Sequence, residues 1–378
     1  MFIRLMQTRV IKLDPRKADI AKIKEAATLV DAGGLVAFPT ETVYGIACRV
    51  KSDSLSKLDK LKGRGPGKRY TLHLGQKSEI TRYVPSIGLK ARKLMTNAWP
   101  GPLTIVFELN PQDLAKQESS LNRETFETLY KDGSIGVRCP DHPIASILLR
   151  LTRSPVAAPS ANASGQEPAV EPEQVLAQFS GQVDLLLDGG PSKYGKSSTV
   201  VKIGKRGLKI LRPGVYSQEQ IDALSTVKFL FVCTGNTCRS PMAEGVFRKH
   251  LAEKLRCGVD QLDRMGYKMA SAGIMDITGA PASAEAQKAC DIRGIDIQGH
   301  RSTVLSPQLI EESDFIFAME QIHCERVRAL SPEAADKCVL LAGDEEIADP
   351  IGQSQGTFNH CAELIEKAVK KRIDELVI

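Results

Sequence analysis

Residues 229–247 read FLFVCTGNTCRSPMAEGVF, and this stretch decides the fold of the second half of the chain. An apolar run ends at a cysteine, a short polar loop follows, and an arginine stands where the loop gives way to an amphipathic segment. The apolar run predicts a buried strand, and the amphipathic segment predicts a helix. Cys233 is therefore expected at the carboxyl end of a strand, directly before a loop that leads into a helix.

Strand and helix patterns continue to alternate up to the C-terminus. The later strands are expected at YKMASAG, DFIFAM and CVLLAG, and helices at ASAEAQKACDIRG and FNHCAELIEKAVKKRIDEL. Such alternation predicts right-handed βαβ units and a parallel, Rossmann-like sheet covered by helices on both faces. In open parallel sheets, ligands bind beyond the carboxyl ends of the strands. The loop after Cys233 is therefore the expected site of this half.

The residue types in this loop suit chemistry on a phosphoryl group. Backbone N–H groups and a helix N-terminus attract an anion and favour the thiolate form of Cys233. Arg239 can hold a phosphate through two parallel hydrogen bonds. Ser240 is expected to cap the helix, with Pro241 just inside it, and to donate to the sulfur. Together these residues predict attack on phosphorus through a phosphocysteine intermediate.

A leaving group also needs a proton, and the segment EEIADPIGQSQGTF supplies a candidate donor. Asp349 lies in this segment, on an expected loop before the last helix. A carboxyl group close to the loop can act first as general acid and then as general base.

Residues 228–378 resemble a low-molecular-weight protein-tyrosine phosphatase. The motif CTGNTCRSPMAE carries the resemblance, together with SAG at 271–273, GHRS at 299–302 and DP at 349–350. The resemblance implies that Cys233 is the nucleophile, Arg239 the transition-state binder and Asp349 the general acid, with no cofactor. It also implies that Cys238 can trap Cys233 as a reversible disulfide. The implied supporting residues of the loop are Thr234, Gly235, Asn236, Thr237, Cys238 and Ser240.

Two positions of this half bear on the substrate. Thr237 stands where the phosphotyrosine enzymes of the resembled family usually carry a bulkier aliphatic residue. Ile351-Gly352 stands where those enzymes carry the aromatic pair that walls the phosphotyrosine pocket. Both features resemble the bacterial branch that acts on phosphoarginine. We therefore expect a phosphoprotein substrate, phosphoarginine or phosphotyrosine, with the balance towards arginine. Arsenate reduction on the same fold would need a relay pair of cysteines, and no such pair is expected among Cys290, Cys324 and Cys338.

The first half of the chain supplies cations and hydroxyl groups in four separated stretches, each at a strand end or in a loop. These stretches are KGRGPGK at 62–68, SIGVRCP with Ser134 and Arg138, PSANASGQ with Ser160 and Asn162, and SSTV…ILRPG with Ser198, Thr199 and Arg212. If they converge, they form a positive cavity suited to a triphosphate.

Residues 20–215 resemble the YrdC domain of threonylcarbamoyl-AMP synthases. The matching stretches are GGLVAFPTETVYGIA, the K-x-R of KGRGPGK, AWPGPLTIVF, GVRCPDHP, APSANASGQ, SSTVV and LRPG. The resemblance implies a twisted α/β sheet domain with a basic cavity. It also implies a reaction that joins L-threonine, bicarbonate and ATP into threonylcarbamoyl-AMP with release of pyrophosphate. A separate transferase would then pass the carbamoyl-threonine to adenosine 37 of tRNA.

The same resemblance implies residue roles in this cavity. Magnesium is expected to accompany the ATP phosphates, without an identified protein ligand. The implied ATP-binding residues are Lys62, Arg64, Lys68, Ser134, Asn162 and Arg212. The implied threonine-binding residues are Thr40, His73, Arg138, Ser160 and Ser198.

Composition and charge support two domains, expected at 1–225 and 226–378. Residues 226–378 hold 18 Lys and Arg against 23 Asp and Glu, whereas the remaining 225 residues hold 33 against 22. The nine cysteines have no regular spacing and the N-terminus has no signal pattern, so we expect a cytoplasmic protein. Because the sequence has no long apolar stretch, we expect no membrane span.

Three functional hypotheses remain open from the sequence. The chain is a bifunctional enzyme with both sites active, or a phosphatase that carries an RNA- or nucleotide-binding module without synthase activity. In the third hypothesis, the phosphatase loop is a redox-sensing appendage of the synthase.

Overall fold

The computed structural model describes residues 7–65, 68–204 and 207–377. The chain divides into two compact units, one formed mainly by residues up to Leu224 and the other mainly by residues from Ser225 onwards. Pro66 and Gly67 of the KGRGPGK stretch lie outside the described residues.

The first unit is built on a mixed sheet of ten strands in its described residues, in the order β1-β8-β2-β3-β7-β4-β6-β5-β9-β10. The sheet combines parallel pairs, such as β4 with β6, and antiparallel pairs, such as β5 with β6. The strands are β1 (Arg9–Lys12), β2 (Val36–Phe38), β3 (Gly45–Arg49), β4 (Thr71–His73), β5 (Leu103–Glu108), β6 (Ser134–Arg138), β7 (Val156–Ala157), β8 (Leu185–Asp188), β9 (Thr199–Gly204) and β10 (Gly207–Arg212).

Helices connect these strands and bury their apolar faces against the sheet. The most amphipathic of them, α6, buries Ile144, Ala145, Leu148 and Leu149, and it ends at Leu151 before a loop. The helices are α1 (Ile20–Asp31), α2 (Ser52–Lys62), α3 (Leu89–Ala98), α4 (Pro111–Ser120), α5 (Arg123–Leu129), α6 (Pro143–Leu151), α7 (Pro172–Phe179) and α8 (Gln218–Ser225).

The second unit contains a four-stranded, wholly parallel sheet in the order β12-β11-β13-β14. Its strands are β11 (Val227–Cys233), β12 (Tyr267–Gly273), β13 (Phe315–Ala318) and β14 (Cys338–Leu340). Its helices are α9 (Arg239–Leu255), α10 (Ala284–Asp291), α11 (Pro307–Glu312), α12 (Gln321–Leu330) and α13 (Gln355–Glu375).

The first strand of this unit, β11, is an inner strand that pairs with β12 on one side and with β13 on the other, and its alternate side chains enter two different cores. Phe229 and Phe231 pack with Phe247 of α9, whereas Leu230 and Val232 belong to the core on the opposite face. The chain leaves β11 for β12 on one side and reaches β13 on the other, so the strand order reverses at β11. The loop after Cys233 therefore opens at the switch point of the sheet, where such folds bind ligands.

The predicted fold class is confirmed: a mixed α/β sheet in the first unit and a parallel α/β sheet in the second. One local expectation is wrong, because α9 begins at Arg239 and its N-cap residue is Cys238. Ser240 lies inside the first turn, so its hydroxyl is free to turn towards the sulfur of Cys233. None of the helices in the described parts of the chain is both long and apolar enough for a membrane span.

Candidate active sites

The first unit contains a cavity of about 320 Å³ at the ends of several strands. Its lining includes six basic side chains and no acidic one among the described residues. Such a surplus of positive charge in a partly enclosed space favours an anionic ligand. The basic residues are Lys62, Arg64, Lys68, Arg69, Arg138 and Arg212; the other predicted residues on the lining are Thr40, His73, Ser160, Asn162 and Ser198.

Strand register places the central residues of this cavity. His73 ends β4 and Arg138 ends β6, and the two are direct partners in the parallel pairing. Ser198 precedes β9, where its hydroxyl lies 3.0 Å from Thr104 Oγ1 on β5. Arg212 Nη2 donates to the Ser198 carbonyl oxygen at 2.9 Å. Neighbouring strand ends therefore gather residues that are far apart in the sequence.

Lys62 is the last residue of α2 and is buried. Its ammonium group donates to the backbone carbonyl oxygens of Ser160 and Asn162. Burial, with the nearby charges of Arg64 and Lys68, lowers the pKa of Lys62 to about 8. Two of its three N–H groups are used, so the third remains for a ligand on the cavity side.

Arg138 carries a buried charge that the protein compensates on one side only. Its Nη2 donates to Glu41 Oε1 at 2.8 Å and to Thr42 Oγ1 at 2.7 Å, and the Arg138 and Glu41 side chains are 7% and 4% exposed. Its Nε atom is buried and has no partner among the described residues. Because buried donors are nearly always paired, this N–H group is a candidate contact for a ligand.

His73 is a neutral hydrogen-bond acceptor in this cavity. Burial, with the neighbouring Arg138, lowers the pKa of His73 to about 3. Its Nδ1 lies 3.1 Å from the carbonyl oxygen of Thr71 and must donate to it. The hydrogen therefore resides on Nδ1, which leaves Nε2 as an acceptor for a hydroxyl or ammonium group.

The structure departs from the sequence-based interpretation at Ser134. Its hydroxyl does not line the cavity, because the guanidinium of Arg69 lies over it and takes it as a hydrogen-bond acceptor. Sequence reasoning also missed Tyr70, whose ring stacks under Arg64 at 5.1 Å and whose hydroxyl donates to Asp59 at 2.6 Å. Arg69 and Tyr70 follow the K-x-R motif by only a few residues, and this closeness in sequence could have placed them at the same cavity.

The residues of this cavity do not fit a protein-held magnesium ion. Mg²⁺ prefers carboxylate oxygens, and the lining of the cavity in the described chain contains none. Nor do the described residues contain a cluster of three or more His, Cys, Asp or Glu side chains suited to a metal.

In the second unit, Cys233 lies at the bottom of the loop between β11 and α9. Its sulfur is 2.9 Å from Ser240 Oγ and accepts the backbone N–H of Asn236 at 3.3 Å. The Asn236 side chain in turn donates to Ser240 Oγ at 2.8 Å. With its lone pairs directed to Asn236 Nδ2, Ser240 can donate its hydrogen to sulfur and stabilise a thiolate.

Asn236 fixes the shape of the loop. Its φ of 55° lies in the left-handed region, which asparagine tolerates better than most residues. Its side-chain oxygen accepts the backbone N–H of Thr303 at 2.8 Å, and its own carbonyl accepts His300 Nε2 at 2.7 Å. His300 of the GHRS stretch and the adjacent Thr303 therefore hold the loop in its conformation.

Arg239 is completely buried at the start of α9. Its Nη1 donates to Glu320 Oε2 at 2.6 Å and to the carbonyl oxygen of Ile347 at 2.8 Å. Its Nη2 donates to Thr234 Oγ1 at 3.0 Å and pairs with Asp349 Oδ2. The Nε atom is buried without a partner in the described chain, so it is available to an anion.

Four of the nine cysteines form two pairs on opposite faces of the sheet. Cys233 and Cys238 share one core, and burial raises the pKa of the Cys238 thiol, which lies 3.5 Å from Ser283 Oγ. Cys324 and Cys338 contact each other in the core on the opposite face of the sheet. This second pair is separated from Cys233 by the sheet, so it does not form a relay with it.

Sequence reasoning missed two residues that contact the loop from α12 and the residue before it. Glu320 pairs with Arg239, and His323 Nε2 lies 3.0 Å from Thr234 Oγ1. The available signal was the acidic residue and the histidine just after the strand DFIFAM, at the edge where the loop lies.

Two family models match the chain and divide it at the same place as its fold. The Sua5/YciO/YrdC model, described as telomere recombination, matches residues 28–214. The model described as low molecular weight phosphotyrosine protein phosphatase matches residues 228–377.

Similar curated proteins follow the same division. A threonylcarbamoyl-AMP synthase of Bacillus subtilis is 35% identical over 54% of this chain, which spans 56% of that relative's length. A putative threonylcarbamoyl-AMP synthase of Mycobacterium tuberculosis is 36% identical over 53% of this chain and 87% of its own. The low molecular weight protein-tyrosine-phosphatase Etp of Escherichia coli is 34% identical over 37% of this chain and 87% of its own.

Among solved structures, Pyrococcus abyssi Sua5 complexed with L-threonine aligns with 96% of this chain and 98% of its own, at a TM-score of 0.50 and 20% identity. That likeness concerns the fold alone. The matches in sequence are sufficient to assign both halves. The chain belongs to two families: its first half to the Sua5/YciO/YrdC family and its second half to the low molecular weight phosphotyrosine protein phosphatases.

The end of β12 imposes a testable constraint on the loop. A Cβ atom added to Gly273 would lie 2.8 Å from the Thr234 carbonyl oxygen and 3.0 Å from the Asn236 nitrogen. Gly273→Ala should therefore displace the loop and slow alkylation of Cys233 by the anion iodoacetate by about tenfold or more, since reactivity depends on loop geometry. Mass spectrometry of the Cys233 peptide measures this rate.

Gly299→Ala is the matched control, because a Cβ at Gly299 would meet no atom within 4 Å. Its alkylation rate should equal that of the wild type. An unchanged rate in Gly273→Ala would show that the loop does not depend on this close approach.

Proposed function

We propose that the first unit synthesises threonylcarbamoyl-AMP from L-threonine, bicarbonate and ATP, and releases pyrophosphate. The single observation that carries this proposal is the cavity with six basic side chains and no acidic one among its described lining residues. The sequence relatives named threonylcarbamoyl-AMP synthase support the same reaction. The product would serve a separate enzyme that modifies tRNA.

In this proposal, the cations of the cavity divide the substrates between them. Lys62, Arg64 and Arg212 neutralise the triphosphate, and any magnesium enters with ATP as its counter-ion. The unpaired Arg138 Nε binds the threonine carboxylate, and His73 Nε2 accepts a hydrogen bond from the amino acid. Fixed cations then stabilise the charge that develops on phosphorus without reorganisation of solvent.

The synthase proposal predicts pyrophosphate release that requires threonine, bicarbonate and ATP together. Arg64→Ala should lower this rate by about 10²–10³-fold, the usual cost of one preorganised charge at a reacting centre. Lys60→Ala removes the same charge from an exposed position on α2 and should leave the rate unchanged. Pyrophosphate is measured by a coupled assay on the full chain.

The main alternative is a module that binds RNA or nucleotide without catalysis. A wild-type chain that binds RNA but releases no pyrophosphate with all three substrates would favour this alternative over the synthase.

We propose that the second unit hydrolyses phosphate from proteins through a phosphocysteine at Cys233. The observation that carries this proposal is the contact of the Cys233 sulfur with Ser240 Oγ and a loop N–H, beside the buried Arg239 guanidinium. Asp349 pairs with Arg239 and is therefore close enough to the loop to protonate the leaving group. It would then activate the water that releases phosphate.

Cys233→Ser should lower hydrolysis of p-nitrophenyl phosphate by at least about 10³-fold, because the nucleophile is lost. Cys257→Ser is the matched control, since Cys257 lies outside the loop and is only partly buried, and its rate should be that of the wild type. If hydrolysis persists in Cys233→Ser, the covalent route is wrong. If the wild type also shows no hydrolysis, the unit has a redox or structural role instead.

We propose further that the phosphatase prefers phosphoarginine to phosphotyrosine. Thr237 presents a small polar side chain at the loop, and Ile351, which is 59% exposed, stands where an aromatic wall would be needed for a phenyl ring. A site without aromatic walls loses the stacking that favours a phosphotyrosine ring.

The specificity proposal predicts a higher kcat/KM for a phosphoarginine peptide than for a phosphotyrosine peptide of the same sequence. Thr237→Ile should shift the ratio of the two values towards phosphotyrosine by about tenfold, the order expected for a small change in pocket shape. Turnover of p-nitrophenyl phosphate reports whether the variant loop is intact. A wild-type preference for phosphotyrosine would contradict the proposal.

A further inference from the structure

His323 lies outside the loop motif and yet contacts it from a neighbouring strand. It is in the first turn of α12, directly after β13, and its side chain is fully buried. Because β13 pairs with β11, the carboxyl ends of the two strands are adjacent. The imidazole therefore reaches the loop at Thr234.

The hydrogen bonds of His323 define one tautomer. The backbone N–H of Glu320 donates to Nδ1 at 3.0 Å, so Nδ1 is an unprotonated acceptor. The hydrogen is consequently on Nε2, which donates to Thr234 Oγ1 at 3.0 Å. Burial, with the positive charge of Arg239, lowers the pKa of His323 to about 4.

Both ring nitrogens are engaged in these hydrogen bonds and burial keeps the imidazole neutral near pH 7, so neither nitrogen is free to exchange a proton with a substrate. The charged groups that face it are Arg239, Glu320, Asp349 and Glu346, and the three carboxylates only partly oppose the effect of burial and Arg239. A neutral imidazole with one fixed N–H group is a rigid donor whose role is geometric.

Thr234 Oγ1 is shared between this imidazole and Arg239. It accepts His323 Nε2 and Arg239 Nη2, each at 3.0 Å, so two donors occupy its two lone pairs. At the other end of the guanidinium, Glu320 Oε2 and the Ile347 carbonyl oxygen hold Nη1. His323 therefore contacts two residues that hold the Arg239 guanidinium: its Nε2 donates to Thr234, and its Nδ1 accepts the backbone N–H of Glu320.

This arrangement matters when a phosphoryl group enters the loop. In the structure, Arg239 Nη2 is also paired with Asp349, which must leave the guanidinium to protonate the leaving group. Thr234 remains as the protein partner of Nη2 after Asp349 has moved. We propose that His323 is a positioning residue for phosphoryl transfer, which keeps Thr234 and Glu320 in place and thereby holds the Arg239 guanidinium in the plane that the transition state requires. This inference rests on the phosphatase activity proposed above.

The test measures kcat and KM for p-nitrophenyl phosphate in the full chain. His323→Leu should lower kcat by about 10- to 100-fold, in line with misplacement of a catalytic group, while KM changes much less. His323→Gln keeps an N–H donor for Thr234 and should recover most of the loss. Ile322→Ala, a change of the exposed neighbour on α12, should have wild-type kinetics.

A double-mutant cycle separates positioning from a general loss of stability. Thr234→Val removes the shared hydroxyl with little change in shape and should lower kcat to a similar extent. If His323 acts through Thr234, the double variant His323→Leu/Thr234→Val should be no slower than the slower single variant. Multiplied losses, or a wild-type kcat in His323→Leu, would overturn the inference.

The pH profile gives an independent readout. Because His323 is neutral across the working pH range, the plot of kcat against pH for His323→Gln should keep the same ascending and descending limbs as that of the wild type. A limb gained or lost near pH 6–7 would show an acid–base role and overturn the inference. Where His323→Leu does not fold, Thr234→Val and His323→Gln carry the test. Absence of wild-type hydrolysis would contradict the proposed phosphatase itself, whereas wild-type hydrolysis with an unaffected His323→Leu contradicts only the role of His323.

Discussion

Arg138 and Arg239 are buried cations that the protein pairs with carboxylates through their Nη atoms only, and both sites are arranged around this incomplete pairing. Burying a guanidinium without partners costs several kcal/mol, so each needs a carboxylate close by. Glu41 forms an ion pair with Arg138, and Glu320 and Asp349 form ion pairs with Arg239. In both residues the Nε atom stays buried without a partner among the described residues. Donors left in this way are stabilised when an anion binds, which explains why the two sites suit phosphate and carboxylate groups.

The two units reach this arrangement through different topologies. In the mixed sheet, the ends of β4 and β6 lie side by side, so His73 and Arg138 face the same cavity. In the parallel sheet, the reversal of strand order at β11 opens a gap at its carboxyl end, and the loop fills that gap. Strand ends are favourable positions because side chains there can converge while the sheet behind them stays rigid.

The loop after Cys233 also shows how a reactive thiol is kept in place by its neighbours. Ser240 and Asn236 contact the sulfur, and Asn236 is held by His300 at its backbone carbonyl and by Thr303 at its side-chain oxygen. Gly273 lets the loop backbone approach β12 more closely than any side chain would allow. The stretches SAG and GHRS, which are remote from the thiol in sequence, thus have a geometric reason to accompany it. Such supporting contacts decide how well a reacting group is oriented.

Local patterns in the sequence determined the order of the strands in the second half, because hydrophobic periodicity and turn residues act over a few neighbours. They also determined the residues of the loop 233–240, since these are contiguous and their chemistry depends on a single strand–loop–helix unit. The motif that joins Lys62 to Arg64 is local in the same sense.

Only the tertiary structure decided which distant residues complete each site. It paired Arg69 with Ser134, which keeps the Ser134 hydroxyl off the cavity lining. It likewise brought Glu320 and His323 to the loop from another strand. These contacts depend on strand order and register, which bring together residues more than sixty positions apart. Side-chain burial and pairing arise only after those long-range contacts form, so no local pattern specifies them.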